Sequence, residues 1–307
     1  MLGIVILNYN EYKLTLDCIN SIGNTYNGNP NIYIVDGGSK NNSVSIFKKE
    51  YAMNSKIKIL SLDCNKGFAY ANNRGVEIAI EEGCEYILIS NSDVIFKMGA
   101  IEEMHKFISE SKNTALVFPK VYAENGELQC TELLVRKADF IHATILSSRL
   151  RKLVPNFIQK KYYTDITKFL IPTKACIFTG CCFMVKSEEY SKIGMLDEST
   201  FLYYEENILS EKIISDSKEM YYIPTSEIVH LGGMSTNKDT NWDWCEYKIS
   251  KLYYWNHYRQ INKFICLTDL YLTIIIKNFL NKNVNDLNKK VKDREMVKKI
   301  KGLLSNQ

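Results

Sequence analysis

The chain has 307 residues, 46% of them hydrophobic and 24% charged, a composition that suits one large globular domain or two modest ones. Its nine Cys are odd in number, include no CxxC pair and form no zinc-finger spacing with the four His, so a disulfide framework or a zinc module is not expected and a reducing cytoplasmic setting is. The formal charge of +4 is uneven, because residues 282–307 hold seven Lys and one Arg against three acids and the remainder is near −1. No nucleic-acid partner is expected.

The first residues, MLGIVILNYNEYK, lack a basic leader and turn polar quickly, so they read as a first strand rather than a signal peptide. Short apolar runs follow at 3–9, 31–38, 56–62, 86–90 and 115–122. Between them, helical spacing appears over 12–22, 68–80 and 100–108. This alternation predicts a mostly parallel sheet flanked by helices, an α/β fold in which ligands bind beyond the carboxyl ends of the strands. Residues 123–177 have no clean period and read as a variable insertion carrying Arg149, Arg151, Lys160, Tyr162 and Tyr163. A second ordered block covers 178–240, with strand-like FTGCCFMVK, then FLYYEENILSEKI and YYIPTSEIVHLGG. The expected division is therefore a catalytic domain over 1–240 and a helical extension over 241–307. In that extension the apolar run 264–280 contains Asp269 and Lys277 and is short for a membrane span. The basic tail after it suits either a solvated helix or one resting on an anionic membrane surface.

Polar clusters fall at the predicted strand ends. Asn8 follows the first strand, Asp36 with Gly37 and Gly38 the second, Lys66-Gly67 the third, and Asn91-Ser92-Asp93 the fourth. An Asp at a strand end could ligate a hard cation on a diphosphate, although by itself it more often caps a turn or helix. Asp36 could accept the imide N–H of a pyrimidine, or simply form an Asp-Gly turn. Gly67 begins a helix whose N-terminus, running through Asn73, could face an anionic ligand. Glu205 and Glu206 follow two Tyr and a Phe, a setting that could raise a carboxyl toward the range of a general base. His230 closes an apolar strand and could be a ligand, a phosphate donor or a core residue.

Taken in order, IVILNYN, IVDGGS, NKGFAYANNRG, ILISNSD, FTGCCFMVK, IGMLDESTFLYYEE and IVHLGGMS resemble the family-2 inverting glycosyltransferases of GT-A fold. The likeness is greatest to bacterial rhamnosyltransferase-like members that build capsular and other cell-surface polysaccharides. It implies a dTDP- or UDP-linked sugar donor, a saccharide or lipid-linked saccharide acceptor, and a divalent metal, Mg2+ or Mn2+. It also implies roles: Asp36 at the base, Asn8, Gly67, Asn73, Asn91 and Ser92 around the nucleotide sugar, Asp93 and His230 at the metal, and Glu206 or Glu205 as the base. Three positions depart from the family pattern: Asn91 and Glu206 stand where Asp is common, and Ile208 where a further acid is frequent. A non-catalytic glycan- or sugar-nucleotide-binding protein of the same fold is the main alternative. A sugar nucleotidyltransferase is disfavoured, because NYNEYK replaces the Gly-rich basic phosphate loop expected after the first strand.

Overall fold

The computed structural model describes residues 1–136, 149–232, 240–280 and 287–304. Gly233 to Ser235 of the last block, residues 137–148 of the expected insertion, and Lys282 and Asp286 of the tail lie outside these residues. The first half runs β1 (Leu2–Asn8), α1 (Tyr12–Thr25), β2 (Asn31–Asp36), α2 (Ser43–Glu50), β3 (Ile57–Ser61), α3 (Phe68–Glu81), β4 (Tyr86–Asn91), β5 (Val94–Phe96), α4 (Ala100–Glu110) and β6 (Thr114–Tyr122). The second half runs β7 (Glu132–Leu134), α5 (Asn156–Gln159), β8 (Tyr163–Asp165), β9 (Thr173–Ala175), β10 (Cys182–Lys186), α6 (Ser187–Lys192), α7 (Glu205–Ser215) and β11 (Glu219–His230), followed by α8 (Thr240–His257), α9 (Lys263–Leu280) and α10 (Leu287–Leu303).

The central sheet has nine strands in the order β3-β2-β1-β4-β10-β6-β11-β5, with β9 also paired to β11. Six strands (β1 to β4, β6 and β11) share one direction, and β5, β9 and β10 oppose them. Alternate residues of β1 explain why its apolar run is unbroken. Val5 packs into one core with α3, whereas Ile4 and Ile6 pack into the other with α1 and α4. A strand buried on both faces has no polar side to alternate with. A third core joins α8, α9 and α10 and takes in Ile208 of α7. The apolar residue at the position often acidic in the family is thus a core contact for the C-terminal helices.

Two sequence expectations need adjusting. The strand expected over 178–186 begins only at Cys182, and Gly180 before it lies against the side chain of Glu206. The stretch without a period holds local structure of its own: β7 pairs with β8, and Arg151 bonds Glu132 at 2.6 and 2.7 Å while lying over the Tyr163 ring at 4.1 Å. Arg151 and Tyr163 are therefore engaged with one another. These elements are short and held by long-range contacts, which leave no periodic trace in the sequence.

Candidate active site

Parallel register aligns the polar strand ends. Asn8 pairs with Asp36, Asp36 with Ser61, and Leu7 with Asn91, so β1 to β4 finish at one edge. Asp36 is buried there and both its oxygens have donors: Asn8 Nδ2 reaches Oδ2 at 2.7 Å, and the Ser39 N–H reaches Oδ1 at 2.8 Å. Asn8 lies behind it, its amide committed to Asp36 and Ser39 and its oxygen accepting from Thr15 Oγ1 at 2.9 Å. Asn73 is likewise engaged within the protein, bonding the Leu196 backbone through both ends of its amide and Glu198 Oε1 at 2.8 Å. Both Asn amides are thus hydrogen-bonded within the protein.

Gly67 links that edge to the segment before α7. Its φ is +107°, and a Cβ would fall 2.4 Å from the Phe201 carbonyl oxygen, which accepts the Phe68 N–H at 2.9 Å. Only Gly allows both the backbone angle and the approach. One donor of the α3 N-terminus is taken by Phe201, while Lys66 lies at this end over the Tyr70 ring at 4.7 Å.

The chain then enters α7 through Tyr203 and Tyr204, both left-handed at φ 75° and 70°. Consecutive Tyr in this region cost on the order of 1 kcal/mol each and persist only when neighbours hold them. Those neighbours are on α8: Tyr203 OH donates to Asp243 Oδ1 at 3.3 Å, the Tyr204 and Tyr247 rings are 5.4 Å apart, and Ser250 Oγ donates to the Leu202 carbonyl at 2.7 Å. The strained turn sets Glu205 and Glu206 at the start of α7.

The two carboxyls differ. Glu205 is buried, and its Oε1 has no hydrogen-bond partner among the described residues. Burial, and then the charge of Glu206, push it from 4.5 up to about 8. Glu206 keeps part of its surface open; burial raises it too, opposed by backbone N–H groups including that of Gly180. A Cβ on Gly180 would meet Glu206 Oε1 at 2.1 Å, so this glycine makes room for the carboxylate. Burial thus favours the protonated form of both carboxyls.

Asp93 and His230 meet through the antiparallel pairing of β5 with β11, where His230 is opposite Val94. His230 Nε2 lies 3.2 Å from Asp93 Oδ1, and Nδ1 lies 2.8 Å from Gln129 Oε1. In the tautomer that donates Nδ1–H to Gln129, Nε2 carries a lone pair. Asp93 is buried, and Oδ1 receives no hydrogen bond among the described residues. An orphaned carboxylate oxygen beside an imidazole lone pair is a donor set that fits a divalent cation. Among the described residues there is no cluster of three or more His, Cys, Asp or Glu, so such an ion would complete its shell with ligand oxygens and water.

Cys181 joins the two halves. Its carbonyl accepts the Asn91 N–H at 2.8 Å, and its buried thiol is raised first by desolvation and then by the charges of Asp93 and Glu206. Gly180, which lies against Glu206, thus adjoins the residue bonded to the Asn91-Ser92-Asp93 segment. Ser92 is buried next to Asp93, and Asn91 is half-buried at the strand end. Gln129, Gly180, Cys181 and Phe201 were not singled out from the sequence. Gly180 could have been noticed as a small residue before an apolar strand, but nothing near Gln129 marks it.

The model of the family described as Glycosyl transferase family 2 matches residues 3–194. The chain belongs to glycosyl transferase family 2. Among curated proteins, this family-2 chain is 30% identical over 122 residues to the glycosyltransferase GlyG of Streptococcus pneumoniae serotype 4, covering 40% of this chain and 39% of that one. It is 25% identical over 206 residues to the low-salt glycan biosynthesis hexosyltransferase Agl10 of Haloferax volcanii, covering 67% and 59%. It is 19% identical over 220 residues to an N-acetylglucosaminyl-diphospho-decaprenol L-rhamnosyltransferase of Mycobacterium tuberculosis, covering 68% of each. The chain thus spans about two fifths and three fifths of the length of the first two relatives. Among solved structures it resembles GalNAc-T7 with UDP, GalNAc and Mn2+ at TM-score 0.61 and 14% identity, over all of this chain and 56% of that one. It also resembles residues 1–349 of S. aureus TarS at TM-score 0.55 and 12% identity, over 99% and 80%. These likenesses give the family-2 chain the GT-A fold.

Proposed function

We propose that the chain transfers a sugar from a dTDP- or UDP-linked donor to a hydroxyl of a growing cell-surface glycan or lipid-linked saccharide, with inversion at the anomeric carbon. The observation that carries this reading is that Gly180 packs against Glu206 while its neighbour Cys181 bonds Asn91 of the segment leading to Asp93, at the strand edge that also holds Asp36. Such a reaction needs a base for the acceptor and a cationic grip on the leaving diphosphate, and this arrangement supports both.

Asp36, fixed by Asn8 and Ser39, has remaining lone pairs for the imide N–H of uracil or thymine. Lys66 at the start of α3 would lie toward the diphosphate. Glu206, the more exposed carboxyl of the pair, removes the proton of the attacking hydroxyl. Buried Glu205, raised to about 8, keeps its proton at neutral pH. Asp93 and His230, steadied by Gln129, would hold Mg2+ or Mn2+, which supplies neutralisation of the charge that builds on the leaving diphosphate. One displacement on the face opposite the leaving group inverts the configuration, and no nucleophilic side chain is called for. The printed names of the relatives from Haloferax and Mycobacterium, a hexosyltransferase and a rhamnosyltransferase of a diphospho-decaprenol sugar, support transfer of a hexose-type sugar to such an acceptor.

A panel of sugar nucleotides tests the reading, assayed for binding and for nucleoside-diphosphate release with and without a chelator. The expected result is chelator-sensitive release with one dTDP- or UDP-sugar. Binding without release would make the chain a binding protein. Pyrophosphate formed from a nucleoside triphosphate and a sugar phosphate would make it a nucleotidyltransferase.

A further inference from the structure

Helix α9 is oriented against the usual rule for a surface helix. Its polar residues Asp269 and Thr273 turn toward the protein, where both bond Lys248 Nζ of α8, the Thr273 contact at 2.9 Å. Cys266 and Leu270 are buried beside them. The opposite side carries Phe264, Leu272, Ile275 and Ile276, which are 79%, 53%, 62% and 56% exposed. With Ile265 and Tyr271, also exposed, these positions fall on one stripe of a helix 18 residues long, about 27 Å. A row of large apolar side chains held outward by a partly buried ion pair is not a solvated helix face.

The neighbouring helix supplies charge on the same side. Arg294, Lys298 and Lys301 of α10 are exposed and recur at i, i+4 and i+7, while Met296 and Ile300, with Leu304 just beyond, form its buried side. Lys301 Nζ lies 5.9 Å from the Tyr271 ring centroid, so the basic stripe borders the apolar one. Lys299 is turned the other way, to Glu246 of α8 at 3.0 Å. An apolar strip edged by cations matches the boundary between acyl chains and anionic headgroups. A second copy of the chain in antiparallel pairing fits less well, since it would set one basic border near the other. No described helix is long and apolar enough to cross a membrane, so contact would be along the surface.

We propose that α9 and α10 form a membrane-docking face, in which the exposed stripe of α9 inserts at the acyl boundary and the basic stripe of α10 binds anionic headgroups. This face is separate from Glu206, Asp93 and Asp36, so it can be tested without reference to turnover.

Flotation of the full chain with vesicles of equal parts phosphatidylglycerol and phosphatidylcholine, and with phosphatidylcholine alone, provides the test. Binding is expected to the mixed vesicles, weakened by salt and much lower on phosphatidylcholine alone. Ile275→Glu with Ile276→Glu should weaken it by about tenfold or more, and Lys298→Glu with Lys301→Glu by roughly tenfold. All four positions are exposed, so thermal melting should be unchanged and would expose a folding defect. Absence of vesicle binding, or binding equal in wild type and both double variants, overturns the proposal. So does a dimer, measured by sedimentation, that the Ile275/Ile276 pair dissociates while vesicles are ignored.

Discussion

His230 Nε2 stands 3.2 Å from Asp93 Oδ1 while its Nδ1 is tied to Gln129 Oε1 at 2.8 Å. A ring held from one side and facing a carboxylate on the other is oriented before any ligand arrives. The same orientation makes Gln129 a sensitive position. Gln129→Leu removes the acceptor that steadies the ring, and the affinity for Mn2+ should fall by roughly 10- to 100-fold. Titration calorimetry with Mn2+ and a nucleoside diphosphate measures it. Affinity equal to wild type would mean that Gln129 does not orient the ring.

Glu206 and Glu205 should separate under conservative substitution. Glu206→Gln cannot take a proton, and kcat should drop by about 10²- to 10⁴-fold with little change in donor affinity. Glu205→Gln retains a neutral group in the same place and should keep most of the activity at neutral pH. A reversed pattern would assign the base to Glu205.

Burial of Glu205 also predicts a pH dependence of stability. Its value is about 8 in the folded chain against 4.5 for the free group, so the folded state binds the proton more tightly. The resulting stabilisation is complete below about 4.5 and is lost as pH rises through about 8. Wild type should therefore melt at progressively lower temperature from pH 5 to 8.5, all else equal. Glu205→Gln should flatten that slope, which parallel melting curves would reveal.

Gly180→Ala places a methyl group where Glu206 Oε1 now lies, 2.1 Å from the ideal Cβ. The carboxylate must swing away, so turnover should fall by at least about tenfold while donor binding is retained. A structure or kinetics unchanged from wild type would show that Glu206 has room to spare.

The C-terminal helices should matter to the site through Asp197. Tyr253 OH donates to its Oδ2 at 2.9 Å and Tyr258 OH to the same atom, bridging α8 and the segment after it to the stretch that leads into Tyr203. Burial would raise Asp197, yet these hydroxyls and the Ser199 N–H hold its carboxyl below the usual range. Tyr258→Phe should cost about 1–2 kcal/mol by denaturant titration.

Much of the fold was legible in the sequence because its strands are buried on both faces and its helices bury one. Unbroken runs such as IVIL and the spacing from Phe68 to Glu81 follow directly from those burial patterns. The order of polar strand ends was legible for the same reason, since parallel strands end together. Less visible was β5, three residues long and too short to show a period, although its pairing with β11 is what brings His230 to Asp93.

What the sequence determined by itself is the α/β alternation, the family blocks and the candidates Asp36, Asp93, Glu205, Glu206 and His230. Only the tertiary structure decided which of them are buried, which share a neighbour, and which supports they have. Gln129 reaches His230, and Gly180 yields to Glu206, through contacts between segments distant along the chain. The α9 stripe shows the same limit. Its apolar residues are plain in the sequence, but whether they face a core or the outside depends on Lys248, which binds Asp269 and turns the other side of the helix outward. Periodicity reports that a helix has an apolar face; packing against other elements decides where that face points.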